Sequence, residues 1–240
     1  MLKVKILSES VKCLFSKLSD NKEDLWLPLV KHMEDSASIA TMLWDTQLSG
    51  NTRQLVANSL GVPKEVAKQF FIFLSAVHDI GKAIPVYQAK LLTCNYKPVS
   101  DALISAGLFT NFPPVFTFPN ATPHTLAGQV LLESFGCHKN IASIIGAHHG
   151  KPVDAMDLLK GGQDSCDFNY HLTRSQNDVW TSLQKEVLGY ALYLSGFADL
   201  AAVPIPDMRV QVIGCGFIKN MNRIVNNQEL FPFEYIEEVA

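Results

Sequence analysis

Apolar residues return at spacings of three and four along two long stretches of this chain. Leu29, Met33, Ala37, Ala40 and Trp44 form one series, and Val66, Phe70, Phe73, Leu74 and Val77 form a second that runs up to Gly81. That period places each set on one face of an α-helix, so both segments are expected to be helices packed on a common core. Further helices are predicted at about 124–136, with Thr122-Pro123 as N-cap and first-turn residue, and at about 138–148, 175–198 and 210–226. The connections carry their own punctuation, in Asn111-Phe112-Pro113-Pro114, the Gly161-Gly162 stretch and Val203-Pro204-Ile205-Pro206. Alternating apolar and polar runs, the mark of half-buried strands, are almost absent, and an all-α fold follows.

The chain can afford such a core. Its 240 residues are 48% apolar and 18% charged, which excludes disorder as the main state. At this length folding removes roughly 70% of the unfolded surface, so one domain over 1–240 is the default. The longest stretch free of Asp, Glu, Lys and Arg, Ala102–Leu132, contains Pro113, Pro114, Pro119 and Pro123, and the first ten residues lack a signal-peptide core. A cytoplasmic protein with no membrane segment is expected. Cys13, Cys94, Cys137, Cys166 and Cys215 are odd in number and widely spaced, which reads as reduced and mostly buried thiols. Twenty basic against 23 acidic residues leave a net charge of −3, and no basic stripe announces a nucleic-acid partner.

The chemistry sits in the histidines. His32 falls in the first helical series, His78-Asp79 at the end of the second, His124 at a helix start, and His148-His149 just before Gly150. Neutral imidazoles and a carboxylate are good ligands for divalent transition metals, and a His-Asp pair at a helix end can turn both side chains toward one ion. Glu34-Asp35 reads as a solvated helix face, and His138 and His171 as surface or loop residues. The Phe112, Phe116, Phe118 cluster is open to three readings: loop packing, stacking on a nucleobase, or docking of a partner.

The order His32, then Ala76-Val77-His78-Asp79-Ile80-Gly81-Lys82, then His124, then Gly146-Ala147-His148-His149-Gly150 resembles the HD superfamily of metal-dependent phosphohydrolases. Trp26-Leu27-Pro28-Leu29, Asp35, and Lys82-Ala83-Ile84-Pro85-Val86-Tyr87-Gln88 narrow the likeness to one branch. That branch is the HD nuclease domain of the CRISPR-associated helicase-nuclease of type I systems, above all the kind working with the E-subtype Cascade complex. The resemblance is firm over about 25–150, resumes at Asn226–Phe233, and is looser between.

The resemblance implies an HD-domain helical bundle with loop insertions. It assigns His32, His78 and Asp79 to one metal ion and His124, His148 and His149 to a second, with Asp79 able to bridge, and it places Lys82 beside them as a charge contact for phosphate. Histidine-rich ligation favours Mn, Fe, Co or Ni over Mg. Two such ions activate water, neutralise a phosphodiester and stabilise the departing oxygen, so Asp79 and Lys82 need no separate side-chain nucleophile. The expected substrate is single-stranded DNA opened by a Cascade-type complex, and the expected partner is a helicase subunit or fused helicase region, since no G-x-x-x-x-G-K-[ST] motif occurs here.

One position departs from the family. Its first metal site is closed by an Asp in a late helix, where this chain has Asn222 within Gly216-Phe217-Ile218-Lys219-Asn220-Met221-Asn222. An uncharged amide there weakens the hold on a dication. Asp199, in Ser195-Gly196-Phe197-Ala198-Asp199, is an alternative ligand. The departure opens a second reading, a non-catalytic module that binds Cascade or a helicase subunit. A third reading, a nucleotide phosphohydrolase, fits the Trp26–Leu29 and Lys82–Gln88 contexts less well.

Overall fold

The computed structural model describes residues 7–18, 26–93, 97–110, 114–153, 166–173 and 178–197. The predicted helix at 210–226, and with it Asn222, Asp199, Cys94, Cys215 and Phe112, lies outside the described residues. Among the described residues the fold is helical, with one antiparallel ribbon of two short strands, β1 (Phe15–Leu18) and β2 (Trp26–Pro28). A short helical turn, α1 (Glu9–Lys12), precedes the ribbon.

The two apolar series become α2 (Leu29–Met42) and α4 (Lys64–Val77). Leu29, Met33, Ala37 and Ala40 are buried on α2, and Trp44 carries the same stripe into a π-helical turn, Leu43–Gln47. On α4, Ala67, Phe70, Phe73, Ala76 and Val77 are buried against them. No side chain caps α2; the Leu14 carbonyl accepts the Leu29 N–H at 2.7 Å, so the ribbon closes the helix start. Between the pair runs α3 (Gly50–Leu60), capped by the Ser49 hydroxyl and ended by Gly61 at φ 65°. After α4 come a tight turn (Ile80–Lys82), α5 (Pro85–Gln88) and α6 (Lys97–Ser105).

The predicted helices at about 124–136, 138–148 and 175–198 are present as α7 (His124–Ser134), α8 (Lys139–Gly146) and α10 (Asp178–Leu194), with α9 (Cys166–Thr173) between the last two. Trp180, Leu183, Val187, Leu188 and Ala191 bury α10 in the main core, where each large side chain contributes roughly 1.5–3 kcal/mol. A smaller cluster of Ile84, Val86, Leu126, Ala127, Leu131 and Leu172 fixes α7 to the segment after Asp79. No single described helix is long and apolar enough to cross a membrane.

Two local expectations need correction. Thr122 does not cap α7, whose N-cap is Pro123; its hydroxyl lies 2.7 Å from His171 Nδ1 instead. His171 is buried on α9, because Thr122 and the Phe116 ring enclose it. His138 lies in the loop ahead of α8, as expected, and caps that helix, its Nδ1 accepting the Asn140 N–H at 3.2 Å. Cys13 and Cys137 are buried thiols, and burial pushes Cys13 up to about 11.

Candidate metal centre

The α4 helix ends in His78, which keeps helical backbone angles, and Asp79, which leaves them at φ −99° and ψ 16°. That break turns the Asp79 carboxylate inward, where it is 3% exposed. Packing of α2 on α4 brings His32 Nε2 to 2.9 Å from Asp79 Oδ2, with His78 Nε2 3.3 Å from the same oxygen and 3.3 Å from His32 Nε2. The other carboxylate oxygen faces the second group. His124 Nε2 lies 3.4 Å and His148 Nε2 3.5 Å from Asp79 Oδ1, and His149 Nε2 lies 3.1 Å from His124 Nε2.

Backbone geometry makes this convergence possible. Gly81 sits against the first turn of α7, and a Cβ there would fall on the His124 carbonyl and the Gly128 nitrogen. Only a residue without a side chain lets the turn after Asp79 come this close to His124. At the other end Gly150 adopts φ 85° and its N–H closes on the Ala147 carbonyl at 2.7 Å, folding the chain back directly after His148-His149.

Two imidazoles have their tautomers set. His78 Nδ1 lies 2.8 Å from the Ser75 carbonyl and His148 Nδ1 2.6 Å from the Ile145 carbonyl. A carbonyl only accepts, so each Nδ1 carries a proton, and each Nε2 of the neutral ring presents its lone pair to the cluster. The His148 Nε2 is buried and makes no hydrogen bond. A buried lone pair aimed into a group of imidazoles and a carboxylate suits a cation, and the two triads His32–His78–Asp79 and His124–His148–His149 each hold their donor atoms within 4.8 Å of one another.

Lys82, 6% exposed, donates to Asp79 Oδ2 at 2.7 Å and to the Ser16 hydroxyl at 3.3 Å. Burial alone would raise the Asp79 carboxyl, but the imidazoles of His148, His32 and His78 around it outweigh burial and hold it far below the carboxylate range. For His78, burial favours the neutral ring, yet its bond to Asp79 and the Asp79 charge prevail and raise it. For His124, burial dominates, Asp79 opposes, and Lys82, His148 and His149 add to it, bringing the ring down to about 4.

Several residues that hold the site escaped the sequence reading. Gln88 works as a substitute peptide, taking the Phe15 N–H at 3.1 Å and donating to the Phe15 and Lys82 carbonyls at 2.9 and 2.8 Å. Gln184 on α10 donates to the Ala83 and Leu172 carbonyls. Tyr87 stacks on Phe15, donates to the Ser16 carbonyl and sets its ring centre 5.8 Å from that of His124, edge to face. Tyr87 and Gln88 belong to the Lys82–Gln88 run, whereas Ser16 and Gln184 stand in no motif. Glu34 is not simply solvated, since it accepts from Tyr190 as well as from Lys31; Asp35 is exposed.

A helical bundle with a His-Asp dipeptide at its centre and further histidines converging on it is the arrangement of the HD class. Residues 15–231 match the family model for the Cas3 HD domain, and the chain belongs to that family. It is 34% identical over 233 residues to a CRISPR-associated nuclease/helicase Cas3 of Streptococcus thermophilus, covering 92% of this chain and 25% of that protein. A CRISPR-associated endonuclease/helicase Cas3 of Thermus thermophilus is 27% identical over 169 residues, 67% of this chain and 16% of its own length. This chain thus spans a quarter or less of both relatives. Among solved structures, the Thermus thermophilus Cas3 HD domain in the presence of Ni2+ superposes with a TM-score of 0.50 at 21% identity, covering 94% of this chain and 81% of that one. The T. fusca Cas3–ATP structure gives 0.51 at 20% identity, covering 91% and 23%.

Proposed function

We propose that this domain is a metal-dependent nuclease that cuts single-stranded DNA during CRISPR interference, in the cytoplasm, beside a Cascade-type complex and a helicase region outside this chain. The observation that carries the reading is the convergence of five imidazoles on one carboxylate: Oδ2 of Asp79 faces His32 and His78, and Oδ1 faces His124 and His148, with His149 completing the second group. We assign His32, His78 and Asp79 to one divalent ion and His124, His148 and His149 to a second, from among Mn, Fe, Co and Ni rather than Mg. When bound, such ions supply Lewis acidity toward water and toward a phosphodiester.

The chain's own groups then have distinct tasks. Asp79 stays ionised and joins the triads. Lys82 fixes one rotamer of that carboxylate and keeps a positive charge buried under the phosphate position. The Ser75 and Ile145 carbonyls orient His78 and His148. His149, exposed at the outer edge, marks the side from which a substrate arrives.

Purified protein incubated with Mn, Co or Ni and an end-labelled single strand should cut it, and His78→Ala should not. Absence of cleavage under every metal, or cleavage unchanged in His78→Ala, removes the proposal. Asn222, where the family has Asp, favours a second reading, a catalytically impaired module that docks on Cascade or a helicase. Metal content separates them: about two ions per chain supports the enzyme, and none in a folded chain supports the module.

A further inference from the structure

Phe118 is exposed over 77% of its surface and is the one non-glycine residue at positive φ among the described residues, at φ 50° and ψ 55°. A bulky side chain adopts the left-handed region at a cost, and such strain concentrates at functional sites. The segment around it is anchored on both sides. Phe116 packs against the rings of Tyr170 and His171, and the Thr122 hydroxyl meets His171. Phe118 therefore stands outward on a fixed loop six residues ahead of His124.

Phe116 and Pro119, on either side of it in the sequence, line a cavity of about 340 Å³ together with Val86, Ala89, Lys90 and Val115. Its volume is at the small end of ligand-sized sites, enough for one nucleoside. The Tyr87 ring links the cavity to the metal centre: Lys90 Nζ stands 4.9 Å from its centre, and the His124 ring centre lies 5.8 Å from it. An apolar slot with an ammonium in its wall, on a loop that also carries an outward aromatic, matches a base and its adjoining phosphate.

Resting on the nuclease reading above, we infer that the 114–121 loop, with Lys90, forms a nucleotide subsite for the single strand next to its cleavage point. One unpaired base lies in the cavity against Phe116 and Pro119 and is covered by Phe118, and Lys90 contacts the phosphate beside it. A duplex keeps its bases stacked and does not fill this slot. The subsite also accounts for how a domain of net charge −3 holds a polyanion, through stacking and one local cation rather than a basic stripe.

The test is the affinity of the metal-loaded chain for a fluorescein-labelled oligothymidylate, read by anisotropy. Phe118→Ala should weaken binding by about tenfold and Phe118→Trp should keep it, as expected for base stacking. Lys90→Gln should weaken it by a few fold and reduce the salt slope by about one unit. Phe118→Gly should lose affinity like Phe118→Ala while melting no lower than the parent, because glycine accepts this backbone freely. Variants binding within about twofold of a parent that itself binds and cuts the strand would overturn the subsite alone and leave Phe118 to a protein partner. A parent that neither binds nor cuts removes the nuclease reading and the subsite together.

Discussion

The two triads gather imidazoles in different surroundings. His32, His78 and Asp79 come from two long helices packed face to face, and the carboxylate they share is buried and held by Lys82. His124, His148 and His149 come from a helix start and a post-helix turn, contain no carboxylate of their own, and end in an exposed ring. The first triad is organised by charge. The second is organised by backbone shape, through Gly81 and Gly150, and borrows the far oxygen of Asp79. Assembly of the second thus depends on the first.

The largest effect should come from removing what they share. Asp79→Asn leaves the Lys82 ammonium buried without its carboxylate, a change that costs about 3–5 kcal/mol when one partner of a buried pair is lost. On the proposed assignment both ions should go with it, so metal analysis should find neither triad loaded and the proposed cleavage should vanish. Retention of one ion in Asp79→Asn would show that the triads are independent.

In the metal-free chain pH should pull them apart. His124 is held at about 4, below its ordinary value near 6.5, so its contribution is present above pH 6.5 and is lost as pH falls toward 4. The change amounts to at most about 3 kcal/mol. His78 is raised, so its contribution is complete below about pH 6.5 and is lost as pH rises through its folded value. Urea unfolding across pH 4.5–8 should show the acid limb flattened in His124→Gln and the alkaline limb flattened in His78→Gln. An unaltered acid limb in His124→Gln would contradict the burial assigned to that ring.

Gly81→Ala should separate the triads sterically. Its methyl group meets the backbone of His124 and Gly128, and overpacking of this kind costs about 1–3 kcal/mol. On the proposed assignment of one ion to each triad, displacing α7 should lower occupancy at His124–His148–His149 and spare His32–His78–Asp79, so metal analysis should find about half the parent's content.

Legibility in the sequence follows the same division. Helices α2 and α4 were readable because each buries a one-sided stripe of large residues, whereas α3 buries only Ala57 fully, and its signals were the Ser49 cap and Gly61. The ribbon is too short to alternate visibly. The six convergent donors were legible because metal chemistry restricts residue type. What orients them was not, since the acceptors of His78 and His148 are the carbonyls of Ser75 and Ile145, and a carbonyl belongs to every residue. Gln88 and Gln184 serve the turn after Asp79 from separate elements, and that pairing appears only in three dimensions.

Thr122 gives the smallest and most discriminating test. Ahead of Pro123 it has the pattern of a helix cap, and loss of a cap costs about 0.5–2 kcal/mol. Its observed partner is His171, and loss of one such hydrogen bond costs about the same, 0.5–1.5 kcal/mol. Thr122→Val alone therefore cannot separate the two roles. A double-mutant cycle with His171→Leu can: a cap gives additive costs, whereas the observed bond gives a coupling of about 1 kcal/mol. Coupling would mean that the approach to His124 is set by α9, a helix remote from both triads in sequence, and that the second triad takes its position from packing on every side.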